Sequence, residues 1–177
     1  STGPADAAGP VLAVYGLDGE TRNFKRSQDT FLARGARPMS GTGGDAMQRW
    51  AKLEELAAAT FWGHLGCELA SVGERETIVR LQARERHLNI MGMVHGGVLA
   101  SLLDTTMGIA ASANRPDDQV VTSNLNIHYV HPLQAGLLEV RAHVVHSTSR
   151  TMTVYGSVTG EDGRLGTIGT GSFRVKG

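Results

Sequence analysis

The residues best equipped for chemistry lie between His87 and Asn114, a stretch of twenty-eight residues with a single formal charge, Asp104. A carboxylate about three turns into an apolar helix costs stability unless a donor satisfies it. On a helix over residues 94–113, Ser101, Asp104, Thr105, Gly108 and Ser112 fall at i, i+3, i+4, i+7 and i+11, a narrow stripe of small or polar side chains. A solvated face would carry Lys and Glu; small residues suit close contact with a second backbone or a ligand. Two readings of Asp104 stand open: a structural carboxylate bonded to a nearby Thr or a partner subunit, or a group held for function.

The start of this helix carries the run Asn89-Ile90-Met91-Gly92-Met93-Val94-His95-Gly96-Gly97. Two glycines in the first helical turn leave unpaired N–H groups pointing outward, with the positive end of the helix dipole behind them. Without Cβ atoms, Gly96 and Gly97 let a substrate carbonyl approach a backbone donor, which is the geometric demand of acyl transfer. The same pair also suits a tight turn or close helix packing.

Taken together, Asn-x-x-Gly-x-x-His-Gly-Gly over residues 89–97 and an acid eight residues after Gly96 resemble the signature of hotdog-fold acyl-CoA thioesterases of the phenylacetate-degradation (PaaI-like) type. The resemblance covers about residues 60–175 and includes Thr122-Ser123-Asn124-Leu125-Asn126-Ile127, similar to the family's substrate-lining segment. It implies hydrolysis of acyl-CoA or aryl-CoA thioesters, without cofactor or metal. The Gly96 N–H would polarise the thioester carbonyl, Asp104 would be general base or nucleophile, and Asn89 and His95 would orient the thioester or leaving thiolate. Gly97, Thr122 and Arg150 would touch substrate: Thr122 stands where many relatives have a water-orienting Ser, and Arg150 where they carry a cation near coenzyme A phosphate. A solvated turn arginine is the other reading of Arg150.

Geometry bears on how such a site is built. Eight helical residues separate Gly96 from Asp104, about 12 Å, too far for both to act on one carbonyl within one chain. Two helices packed antiparallel bring the Asp104 of one to the Gly96 end of the other, giving two sites per isologous dimer. The resemblance implies the same homodimer, often paired into a homotetramer. The alternatives are a non-catalytic acyl-CoA binding or sensor protein, which would lack the helix carboxylate or carry a DNA-binding segment, and an enoyl-CoA hydratase. The hydratase pattern of an Asp and a His ahead of the helix is not found between His87 and His95.

The elements that must position these residues read as α+β, a hotdog fold with one long helix wrapped by a curved antiparallel sheet. ETIVRLQAR alternates, with Thr77, Val79, Leu81 and Ala83 on one face. Four further alternating runs, 120–130, 137–146, 151–159 and 165–175, are joined by short turns and predict an antiparallel meander. Residues 1–45, with eight glycines and three of the five prolines, read as an N-terminal extension wrapped on the domain of residues 46–177, with a short edge strand over Val11 to Leu17. Asp45 caps a predicted helix running to about Phe61, a lid or brace.

Composition excludes much else. Seventeen basic residues balance seventeen acidic ones, so neither nucleic acid nor an anionic membrane is an expected partner. One cysteine, Cys67, rules out an internal disulfide, suits a reducing cytoplasm and reads as a small core hydrophobe. The apolar run at 98–113 is too short and too polar to span a bilayer, so a soluble protein is expected. His128 and His131, like His143 and His146, lie three apart on predicted strands and should face opposite ways, giving no zinc site. There is no Gly-x-Ser-x-Gly elbow, Walker loop or complete dinucleotide fingerprint.

Overall fold

A computed structural model of the chain describes residues 14–15, 21–22, 52, 55–73 and 75–176. The chain divides into two compact units, Ser1–Arg37 and Pro38–Gly177. In the first, β1 (Val14–Tyr15) pairs antiparallel with β2 (Thr21–Arg22), within the strand expected over 11–17, whose other residues lie outside the described ones. Most of the helix expected from Asp45 also lies outside them. Its described end does not run unbroken to Phe61: residues 55–57 are helical, and the chain then turns through 58–60. Thr60 is extended and its hydroxyl donates back to the Ala57 carbonyl at 2.6 Å, ending one helix before α1 (Phe61–Leu65) begins. Gly66, at φ +81°, closes α1 in the left-handed conformation that glycine adopts without strain.

The second unit is built around α2 (Gly96–Asn114). Leu99, Leu102, Leu103, Thr106, Met107, Ala110 and Ala111 are its buried residues, a continuous helical face at spacings of three and four. That face packs on a six-stranded antiparallel sheet of β3 (Cys67–Val72), β4 (Thr77–Ala83), β5 (Gln119–Tyr129), β6 (Gly136–Ser147), β7 (Thr151–Thr159) and β8 (Leu165–Lys176). Val79, Leu81, Val140, Val154 and Phe173 meet the helix from the sheet and are at most 1% exposed. Truncating Leu103, fully buried at the centre, would cost about 2–5 kcal/mol. The glycines of β7 and β8 permit this close packing: a Cβ on Gly156 would stand 2.9 Å from Leu103 Cδ2, and one on Gly169 would stand 3.2 Å from Leu103 Cδ1.

Two expectations need correction. The sheet order is β3-β4-β6-β7-β8-β5, so the meander comprises β6, β7 and β8, while β5 skips its sequence neighbour and pairs with β8. Strand alternation is a local property, whereas the choice of neighbour is decided by where α2 delivers the chain. The second correction concerns His143 and His146. A bulge between Val144 and His146 places His143 opposite Tyr155 and His146 opposite Thr153, and since Tyr155 and Thr153 are two apart on β7, both histidines share the outer face. His131 lies past the end of β5. The described residues hold no group of three or more His, Cys, Asp or Glu able to bind a metal ion.

Candidate active site

A tight loop leads into α2. The Asn89 N–H donates to Met93 O at 2.7 Å, the Gly92 N–H to Asn89 O at 2.9 Å, and Gly92 sits at φ +78°. The Asn89 side chain braces this turn, its Oδ1 accepting from the N–H groups of Met91 (2.9 Å) and Met93 (3.2 Å). The loop carries Ile90 and Met91 out into solvent. Beneath it His87 is buried, its Nδ1 accepting from the Arg84 N–H at 2.9 Å. Burial, helped by the neighbouring Arg86 and Arg84 charges, holds the His87 pKa below the ordinary histidine value, against a hydrogen bond to the Leu65 backbone that raises it.

His95 is the N-cap of α2: its backbone is extended and its Nδ1 accepts from the Gly97 N–H at 2.9 Å. That bond requires the neutral ring to carry its proton on Nε2. The missing Cβ of Gly97 makes room for the ring, since a Cβ there would stand 3.0 Å from His95 Nδ1. The N–H groups of Val98 and Leu99 both donate to His95 O. Of the four donors that a helix start leaves over, the N–H groups of His95 (to His87 O at 2.8 Å), Gly97 and Val98 are satisfied, and the Gly96 N–H has no acceptor among the described residues. Gly96 has no positive φ.

Two turns further on, Asp104 is half-buried, as are Ser101, Thr105, Gly108 and Ser112 of its stripe. The Thr122 hydroxyl on β5 donates to Asp104 Oδ1 at 2.9 Å. Ser101 turns its hydroxyl back to Gly97 O at 2.8 Å and is satisfied within its own helix.

The family model described as Thioesterase superfamily matches residues 91–167. A structure of a point variant of the phenylacetic acid degradation protein PaaI from Thermus thermophilus is 30% identical, with a TM-score of 0.60 over 64% of this chain and 96% of that one. The chain belongs to the thioesterase superfamily. Its helix wrapped by a curved antiparallel sheet is the hotdog fold, and family membership makes it a thioester hydrolase. The 1,4-dihydroxy-2-naphthoyl-CoA hydrolase of Listeria monocytogenes is 29% identical over 113 residues, 63% of this chain and 92% of that relative. The PaaI protein of the E. coli phenylacetic acid degradation operon superposes with a TM-score of 0.70 over 77% of this chain and 97% of that one; at 24% identity it bears on fold alone.

In this thioesterase the expected site residues separate into three stations along α2. Asn89, His95, Gly96 and Gly97 gather at its N-terminus, and Asp104 with Thr122 lies about 12 Å along the axis. Arg150 is at the far end: it sits in the β6–β7 turn, where Arg115 just past α2 donates to Thr148 O at 2.6 Å, about 27 Å from Gly96 along the helix. The Arg150 side chain is exposed, while its carbonyl accepts from the Val175 N–H at 2.9 Å. Cys67 is buried on β3, within the core cluster.

Sequence reasoning missed Tyr129. As the last residue of β5 it reads as an ordinary strand aromatic, yet its hydroxyl donates to Gly96 O at 3.0 Å and its ring lies over that glycine. No helix among the described residues is long and apolar enough to cross a membrane.

Proposed function

We propose that the protein hydrolyses acyl-CoA or aryl-CoA thioesters at a site shared by two chains, with the Gly96 N–H of one protomer and the partner subunit's Asp104 acting on the same carbonyl. The observation that carries this reading is the Gly96 N–H, the one first-turn donor of α2 left without an acceptor among the described residues. A thioester oxygen seated there gains charge as the carbonyl becomes tetrahedral, and a fixed donor at a helix N-terminus stabilises that charge. The Asp104 carboxylate takes a proton from water as the water oxygen bonds to the carbonyl carbon. The C–S bond then breaks, the electron pair leaves on the coenzyme A sulfur, and the proton on Asp104 returns to that thiolate. Direct attack by Asp104 would form an anhydride that water opens, with the same products.

Several features support a two-chain site. Within one chain the two groups stand about 12 Å apart. The stripe through Asp104 is half-buried and small, which suits a second helix alongside. Beyond β8, the other edge of β5 has no strand paired to it among the described residues, and eleven residues of open edge are a template for a second copy. An antiparallel partner also carries its own Arg150 toward the Gly96 end, where a cation would meet coenzyme A phosphate. The reading assigns the activity to residues 46–177 of a homodimer or homotetramer in the cytoplasm, with no cofactor. Thiol release from short, medium, long and aromatic acyl-CoAs tests it. Release from at least one class, reduced about a hundredfold or more in kcat by Asp104→Asn, is expected; no release from any class would overturn it.

A further inference from the structure

We propose that Tyr129 is a positioning residue for the oxyanion donor, clamping the glycine pair so that the Gly96 N–H keeps its direction; the inference rests on the thioesterase reading above. The Gly96–Gly97 peptide unit is held at both of its polar ends. Its carbonyl oxygen accepts from the Tyr129 hydroxyl at 3.0 Å, and its N–H donates to His95 Nδ1 at 2.9 Å. A hydrogen-bonded chain therefore runs from phenol through one peptide to imidazole, and each bond polarises the next.

Why a clamp is needed follows from the residue types. Two adjacent glycines have the widest backbone freedom of any pair, and they lie in the turn of α2 where N–H groups lack helical partners. The Gly96 N–H belongs to the preceding peptide, whose carbonyl at His95 is held by Val98 and Leu99. The Gly96–Gly97 peptide hinges on the same α-carbon, and a donor that must meet a developing charge without reorganising cannot sit beside a free hinge. Side chains on Gly96 and Gly97 would restrain it, but Gly97 gives its Cβ space to the His95 ring. Gly96 gives its Cβ space to Tyr129, whose Cζ and hydroxyl oxygen stand 3.3 Å from the position a Cβ would take. The phenol replaces the lost restraint from outside, by contact on the ring side and by a hydrogen bond at the carbonyl. Tyr129 faces α2 from the end of β5, opposite Thr167 of β8, so the sheet holds the clamp against the helix. It is 58% exposed, and α2 has seven buried residues of its own, so the fold does not depend on this hydroxyl.

The test is Tyr129→Phe, which keeps the ring and deletes the donor, studied beside the wild-type protein. The melting temperature should stay within about 2 °C, KM within about twofold, and kcat should fall about tenfold. Tyr129→Phe combined with His95→Ala should lose less than the product of the two single losses, because both side chains hold one peptide. The second readout is independent of activity: in protein labelled with 15N-glycine, hydrogen exchange of the Gly97 amide should quicken about fivefold or more in Tyr129→Phe. Wild-type kcat in the variant, or a fall in kcat matched by an equal loss of folded protein, would overturn the proposal. Should the wild-type protein release no thiol, the hydrolase reading fails and the Gly97 amide alone decides. Unchanged exchange then overturns the clamp and faster exchange supports it.

Discussion

Thr122 and Asp104, eighteen residues apart, are joined by a 2.9 Å hydrogen bond from the Thr122 hydroxyl to Asp104 Oδ1. The bond ties the carboxylate of α2 to β5 and satisfies one of its oxygens, leaving the other for chemistry. It also unites the two readings of Asp104, because a structural hydrogen bond to a nearby threonine can fix a carboxylate that acts on a substrate.

Thr122→Val keeps the branched shape and deletes the donor. The expected result is a folded protein with kcat lowered about tenfold, since a hydrogen bond to a charged group contributes on the order of 1.5–3 kcal/mol and this one is partly exposed to water. Thr122→Ser should retain more than half of wild-type kcat. Steady-state kinetics of both variants check this, and a loss in Thr122→Ser with none in Thr122→Val would show that the methyl group, rather than the hydroxyl, matters.

Gly96→Ala adds a methyl group 3.3 Å from the Tyr129 ring, tighter than ordinary van der Waals contact. Gly96 has no positive φ, so no left-handed strain opposes alanine, and the first turn of α2 tolerates or welcomes a better helix former. The variant should fold with an unchanged or raised Tm. Tyr129 must give by a few tenths of an ångström, which loosens its hold beside the donor, and since a misplacement on the order of 1 Å costs about a hundredfold in rate, kcat/KM should fall sharply. Thermal melts with kcat/KM measure both halves; full activity in the folded variant would place the oxyanion donor elsewhere.

His87 and His143 give stability a pH dependence of defined sign. Both are held below the ordinary histidine value, chiefly by burial; the Glu76 charge partly opposes this at His143. The unfolded chain therefore takes up protons below about pH 6.5 that the fold refuses, and stability present above that pH is lost as pH falls toward the folded values. Denaturant midpoints should decline between about pH 7.5 and 5.5, above the range in which Glu139, held down by the hydrogen bond from Arg80, begins to contribute. His87→Gln with His143→Gln should flatten the decline, and an unchanged slope would assign it to other groups.

How far the sequence revealed this arrangement depends on how local each feature is. Helix α2 was legible because its buried face recurs at spacings of three and four within nineteen residues. Strands β4 and β7 were legible because buried and outer residues alternate cleanly along them. Strand β3 was missed because Cys67 to Val72 has no such alternation, and the place of β5 at the sheet edge was missed because pairing with β8 is a long-range choice. At the site, the motif residues at 89, 95, 96 and 97 were found as a contiguous run. The bond from His95 to Gly97 and the hold of Asn89 on its own loop depend on side-chain geometry that spacing alone does not determine. Tyr129 escaped because it bonds a backbone carbonyl thirty-three residues away, and no residue type marks such a target.

Whether each site is made by two chains is decided by mixing subunits. Asp104→Asn protomers retain an intact Gly96 end, and Gly96→Ala protomers retain an intact Asp104. In a mixed dimer one of the two sites has both working halves, so equal mixing with complete exchange should restore about a quarter of wild-type kcat from two nearly inactive proteins. Activity that stays at the level of the separate variants, with exchange verified by mass-labelled subunits, would overturn the shared site and place all of it within one chain.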